Sequence, residues 1–370
     1  MNLTLTQITE WDHTFIDIYK KFYCFLNYID PSKVQLILNM HDPTFDRIEI
    51  TKHIVIVSTF TEDVRLEALI KLAKLRTDVE FFWLADVNIY DYSLPSNVTF
   101  FKYRHYHILL DVFLQNGCAN RIPRAKSKKY IKKFGSLSNF RKQNRALITA
   151  CLLTYAKNES MISWHNRPNS TYHDHLIDTV KHNSRYADLD WELLNSVFLV
   201  DDYDVTITGD NTYTKNILNN SFNKLYQNSL INFSNETTWF GLYDHEDVSY
   251  IRPGPFLTEK TWNPLLAGNI LFNSAAPYIY NYLINDYGIP INYSFGLEFD
   301  NIPGDLDRFE TICKKIRDLV DVPLTDLVDQ NIDYCELIQQ TIMDPDYIKN
   351  FDQYNRIQDL KILEKLFQIV

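Results

Sequence analysis

The chain predicts an α/β protein made of two doubly wound, Rossmann-like parallel-sheet domains facing a cleft, with a helical C-terminus. Three observations lead there. Apolar strand-like runs alternate with amphipathic helices through the first third. The alternation resumes after a basic stretch near residues 120–140, and from Gly304 onward the pattern is mainly helical. With 370 residues, 45% hydrophobic and 14% aromatic, the chain is long enough for two cores and is not disordered.

Taken in order, Val34–Met40 reads as a strand ended by His41-Asp-Pro43. His53–Ser58 is a second, apolar nearly throughout and so covered on both faces. Thr61-Glu-Asp63 opens a helix with Val64, Leu66, Ala68, Leu69, Leu72 and Leu75 on its buried side. Val79–Leu84 and Val98–Tyr103 are further strands, and Tyr106–Gln115 is a helix ended by Gly117. A helix over Arg145–Tyr155, a strand over Ser160–Trp164 and a strand over Leu230–Phe233 follow. Ile270-Leu-Phe272 reads as a short buried strand, and Pro277–Asn285 as a helix. The expected domains are 1–135, 136–340 and a helical segment 341–370 that packs back on the first domain. In such sheets ligands bind outside the carboxyl ends of the strands.

Charge is unevenly placed. The net charge is -10, yet no Asp or Glu occurs between Asp111 and Glu159, a gap holding eleven Lys and Arg. Arg121, Arg124, Lys126, Lys128, Lys129, Lys132 and Lys133 form its dense part and would steer a polyanion; a solvated linker helix would use the same residues. The N-terminus lacks a basic and an apolar leader region, so no signal peptide is expected. No run approaches the ~18 apolar residues of a membrane helix. Five scattered cysteines, Cys24, Cys118, Cys151, Cys313 and Cys335, read as reduced thiols, so a cytoplasmic location is expected. Nine glycines beside abundant Asn, Ile, Lys, Tyr and Phe suggest an AT-rich genome, which fits a phage.

The densest chemistry lies in Phe256-Leu-Thr-Glu-Lys-Thr-Trp-Asn-Pro-Leu-Leu-Ala-Gly268. Thr258 can cap a helix whose first turn carries Glu259 and Lys260, and Gly268 stands where a helix end wants a left-handed residue. Free N–H groups and Lys260 can meet a diphosphate, while Glu259 can accept from ribose hydroxyls. The same spacing also serves an ordinary amphipathic helix with a surface Glu-Lys pair.

This motif resembles the donor-binding motif of the α1,3-fucosyltransferases. It is more similar still to a group of bacterial and phage glycosyltransferase-like proteins with a Thr-Glu-Lys-Thr-Trp/Phe-Lys-Pro signature, over about Ser136 to Tyr293. Asn263 stands where that group has Lys. The stretch Phe134–Arg145 resembles the group's second signature, and places Arg141 and Arg145 on one helix face beside the leaving diphosphate. Glu236 also falls on a position of that group, and Arg252 just precedes the motif. The resemblance implies the two-domain GT-B fold and a UDP- or GDP-linked sugar as co-substrate, with no cofactor. It implies no metal.

An acceptor base, needed by an inverting transfer, would sit at a strand end of the first domain. Asp42 and Asp86 are best placed, with Glu62 and Asp63 beside them, although each also suits a turn or cap. His173-Asp-His175 spreads its imidazoles over different helix faces, and Asp201-Asp-Tyr-Asp204 reads as an acidic loop, so neither is expected to hold a metal. Basic residues in a phage-like chain point to DNA as the acceptor, with hydroxymethylated cytosine supplying the hydroxyl. The alternatives are a glycosyltransferase for a surface glycan or lipid-linked acceptor, and a non-catalytic DNA-binding protein of the same fold.

Overall fold

The computed structural model describes residues 23–29, 33–38, 49–59, 66–86, 93–104, 122–138, 143–164, 177–178, 180–195, 224–234, 257, 259–274 and 276–369. Its first part runs β1 (Val34–Leu38), β2 (Ile54–Thr59), α1 (Leu66–Leu75), β3 (Glu80–Ala85) and β4 (Val98–Lys102). Then come β5 (Lys132–Ser138), α2 (Gln143–Tyr155), β6 (Ser160–Trp164), α3 (Lys224–Asn228), β7 (Ser229–Ser234), α4 (Glu259–Leu266) and β8 (Ile270–Asn273). Four helices follow: α5 (Ile279–Asn285), α6 (Asp305–Val320), α7 (Leu324–Met343) and α8 (Pro345–Ile369). The expected helix over Tyr106–Gln115 lies outside the described residues.

The chain divides into two compact units, one of residues 1–111, 247–256 and 345–370, the other of 112–246 and 257–344. A boundary at residue 135 would cut β5 in half; the division instead precedes the whole basic segment. The C-terminal helix belongs to the first unit, and the change of unit comes at Asp344, where Pro345 opens α8. Proline suits that position because a first-turn N–H has no helical partner to lose.

In the first unit β1-β2-β3-β4 form a parallel sheet in sequence order. One face carries Val34, Leu36, Ile54, Ile56, Phe82, Leu84 and Phe101, which pack with Phe25 and Leu26 of a short 3-10 turn and with Ile362 and Leu366 of α8. The alternate residues Val55, Val57, Phe81 and Trp83 are also buried, on the side where a right-handed β2–α1–β3 crossover places α1. Leu69 and Ala73 of α1 are buried, whereas Leu75 is 72% exposed, because six residues beyond Leu69 the helix has turned it away from the sheet. Among the described strands every step across this sheet goes the same way. Double winding, expected of both sheets, is therefore not seen in this one.

The second unit does reverse. Its parallel order is β6-β5-β7-β8, so the chain steps outward from β5 on both sides. Right-handed crossovers then put α2 and α4 on opposite faces, where α2 packs on α6 and α4 on α7. The switch point lies between the carboxyl ends of β5 and β7.

Candidate functional site

The carboxyl edge of the second sheet gathers the small polar side chains that end its strands. Ser138 ends β5 and Ser234 ends β7, both buried. Ser274, just past β8, hydrogen-bonds through its hydroxyl to the Ser234 carbonyl at 3.0 Å. Thr261, in the first turn of α4, meets the Ser234 hydroxyl at 3.2 Å. That bond fixes the N-terminal turn of α4, with Glu259 and half-buried Lys260, beside the end of β7 and hence at the switch point. The first N–H groups of a helix have no internal acceptor, so this edge carries a cluster of donors with partial positive charge.

The other end of α4 explains why the helix stops where it does. Gly268 is left-handed at φ 69°, its N–H reaches the Leu265 carbonyl at 3.1 Å, and the Asn269 N–H reaches Pro264 at 2.9 Å. This pair of bonds is a Schellman closure. Three further side chains take the remaining carbonyls. Gln339 of α7 donates to Leu266 at 2.9 Å, Lys128 to Ala267 at 2.8 Å and Tyr130 to Gly268 at 2.8 Å.

These contacts change the reading of the basic segment. The Lys128 ammonium also donates to the Tyr226 carbonyl at 2.7 Å and to the Asn269 side chain, and burial pulls its pKa down to about 7. Lys133 is 4% exposed and donates to the carbonyl of Val320, the last residue of α6. Lys132 donates to the Asn158 carbonyl. Arg124 and Lys126 pair with Glu336 and Asp333 of α7 at 3.3 and 2.7 Å. Of the seven expected nucleic-acid contacts, then, half-buried Lys128 and buried Lys133 are engaged at helix C-termini. Lys129 is exposed, Arg124 and Lys126 lie at the surface in ion pairs, and Arg121 lies outside the described residues.

Of the expected donor contacts, Arg145 stands in the first turn of α2 and is 5% exposed, so it is a buried guanidinium rather than a surface one. Arg141, Glu236, Arg252 and Thr258 lie outside the described residues, as does the side chain of Glu259. In the first unit Asp86 directly follows β3, as expected of a strand-end carboxylate, but it is fully buried. Asp42, His173, His175 and Asp201–Asp204 lie outside the described residues. Among the described residues no three His, Cys, Asp or Glu side chains gather where a metal could bind, and no helix is long and apolar enough to cross a membrane.

Two buried carboxylates escaped the sequence reading. Asp359 of α8 accepts from the Tyr103 hydroxyl at 2.9 Å and from the amides of Cys24 and Phe25; burial raises it to about 7 against those bonds. Asp300 accepts from Asn273 at 2.6 Å and from the Tyr280 amide at 2.9 Å, at the start of α5, and burial raises it to about 6. Asp359 had one signal: it falls on the buried helical stripe of Phe351, Asn355, Ile362 and Leu366. Asp300 sits in a 3-10 turn and had none. Compared with protein-family models, curated proteins and solved structures, the chain matches none.

Proposed function

We propose that this chain is a nucleotide-sugar-dependent glycosyltransferase of the GT-B type, holding its donor in the second unit. The supporting observation is the Thr261–Ser234 bond, which keeps the Glu259–Lys260 turn at the switch point of the doubly wound sheet. In the proposed reaction an acceptor hydroxyl oxygen attacks the anomeric carbon while the bond to the nucleoside diphosphate breaks. The amides of the first turn of α4 and Lys260 stabilise the departing negative charge, and the hydroxyl proton leaves to a base. The acceptor we propose is hydroxymethylated cytosine in DNA, approached by the surface cations Arg124, Lys126 and Lys129.

Calorimetric titration with UDP-, GDP- and CMP-sugars tests the donor site. One of them should bind, and Lys260→Ala should weaken it roughly tenfold or more, since a charge-assisted contact is worth about 1.5–3 kcal/mol. Equal affinity in the variant would remove Lys260 from the site. Failure of every sugar nucleotide to bind would end the transferase reading. Incubation with the donor and hydroxymethylcytosine DNA, followed by mass spectrometry of the nucleosides, tests the acceptor; one added hexose or pentose is expected. The inward turn of Lys128 and Lys133 favours a second reading, transfer to a glycan or lipid-linked hydroxyl. Donor turnover with such an acceptor and none with DNA would select it.

A further inference from the structure

Tyr278 is the one non-glycine residue at positive φ among the described residues, at φ 67° and ψ 15°. A β-carbon is crowded against the backbone there, so glycine is the usual occupant, and Asn or Asp enters with the help of a local side-chain bond. Tyrosine has neither advantage, and its side chain makes no capping bond to α5. The surrounding structure holds the conformation nonetheless. The Tyr278 N–H donates to the Asp300 carbonyl at 2.7 Å, and its carbonyl accepts from the Tyr282 N–H at 2.9 Å. The Asp300 carboxylate takes the Tyr280 amide at 2.9 Å and the Asn273 side chain at 2.6 Å, and Asn273 also donates to the Ala276 carbonyl at 2.8 Å. A turn determined from so many sides can keep a strained residue, and such residues gather at binding sites.

The turn leaves the carboxyl end of β8. Ser274, at its start, bonds to the end of β7 at 3.0 Å, and Ser234 there meets Thr261 in the first turn of α4 at 3.2 Å. Ala276, Pro277, Ile279 and Tyr280 are buried, whereas Tyr278 between them is half-buried, so the tyrosine is where this turn meets solvent. We propose that Tyr278 is a contact residue of the donor site, its ring the face on which the nucleobase of the sugar nucleotide stacks; the inference rests on the donor reading above. Among the described strands β8 lies outermost on this side of the sheet, one strand beyond β7. A nucleoside running outward from a diphosphate at the first turn of α4 therefore crosses the end of β8. Every base offers a flat π-face, and stacking on an aromatic ring asks for no particular hydrogen bond. Glycine would make the same turn without strain, but it has no ring to offer.

The test titrates the full-length parent, Tyr278→Phe, Tyr278→Ala and Tyr278→Gly by calorimetry with UDP, GDP and CMP and with their sugar conjugates, beside thermal unfolding of each. Tyr278→Phe should bind as the parent does, because stacking needs the ring and not the hydroxyl. Tyr278→Ala and Tyr278→Gly should each lose about fivefold or more in affinity, for bare nucleotide and sugar nucleotide alike. Tyr278→Gly should nevertheless melt about 2–4 °C above Tyr278→Ala, since glycine takes a positive φ without a β-carbon clash. The more stable variant would then bind as weakly as the less stable one, which separates a lost contact from a damaged fold. Parent-like affinity in both ring-less variants, or a loss confined to the sugar conjugates, would overturn the inference and leave the donor site standing. So would a loss in Tyr278→Ala that Tyr278→Gly restores. A parent that binds no nucleotide and no sugar nucleotide would end the donor reading, and this inference with it.

Discussion

At the scale of single residues, the same side chain can serve a ligand or a helix end, and burial decides which. An ammonium has three protons, and Lys128 meets three acceptors: two backbone carbonyls and the Asn269 side chain. Two of these groups lie at the C-terminal end of α4, where partial negative charge accumulates. Lys133 does the same for α6. From sequence both counted as part of a basic patch, because charge density along a chain carries no record of which way each side chain turns. Lys128→Met is expected to destabilise the second unit by at least about 2 kcal/mol, since each buried acceptor left unmet costs about 1–3 kcal/mol. Lys128→Arg should not restore the loss, because a planar guanidinium cannot point its protons at the same three acceptors. Urea denaturation followed in the second unit measures this. A parent-like midpoint for Lys128→Met would mean that water satisfies these carbonyls as well as the lysine does.

At the scale of elements, apolar strands and caps were legible and polar ones were not. β2, β3 and α4 with its Gly268 stop could be read because Val, Ile and Phe runs, Thr-Glu-Lys and a terminal glycine each carry a direct physical preference. β5 was not read as a strand. Its sequence, Lys-Lys-Phe-Gly-Ser-Leu-Ser, has no β-branched residue, yet it is the strand next to the switch point. Its small residues are there for packing: a Cβ on Gly135 would run into the side chains of Asn232 and Ser229. The start of α5 was equally hidden. Tyr278 is left-handed at φ 67°, its N–H bonds to the Asp300 carbonyl at 2.7 Å, and the Asp300 carboxylate takes the next amides. Burial raises Asp300 from an ordinary 3.8 to about 6, so between those values the folded chain binds more protons than the unfolded one. The contribution of Asp300 is then full below about pH 4 and is lost as pH rises through about 6, by roughly 3 kcal/mol at most. Chemical denaturation of the parent and Asp300→Asn across that window should show the parent losing stability relative to the variant. A parent that gains stability with rising pH relative to Asp300→Asn would contradict the assignment.

At the scale of the whole chain, the last helix completes a core begun about three hundred residues earlier. The sequence announced a helical tail, but not where along it the chain passes from one unit to the other. From Gly304 onward, helix follows helix with similar composition, and only the match of apolar stripes to a particular sheet divides α7 from α8. The division is concrete in the contacts: Gln339 of α7 binds residues of the second unit, whereas Asn355 of α8 exchanges two hydrogen bonds with the Arg104 backbone of the first. Arg104 also lies over the rings of Phe351 and Tyr354, at 4.8 and 4.1 Å, fastening the helix to the end of β4. Ile362 is fully buried in the cluster with Phe82, Leu84 and Phe101. Ile362→Ala should therefore cost the first unit about 2–5 kcal/mol through lost transfer energy and the cavity left behind. Native-state hydrogen exchange can locate that loss. Amides of β1 to β4 should lose protection, while those of β5 to β8 keep theirs, because no residue of the second sheet belongs to this core. Equal loss in both sheets would show that the chain opens as one cooperative body and that α8 does not belong to the first unit alone.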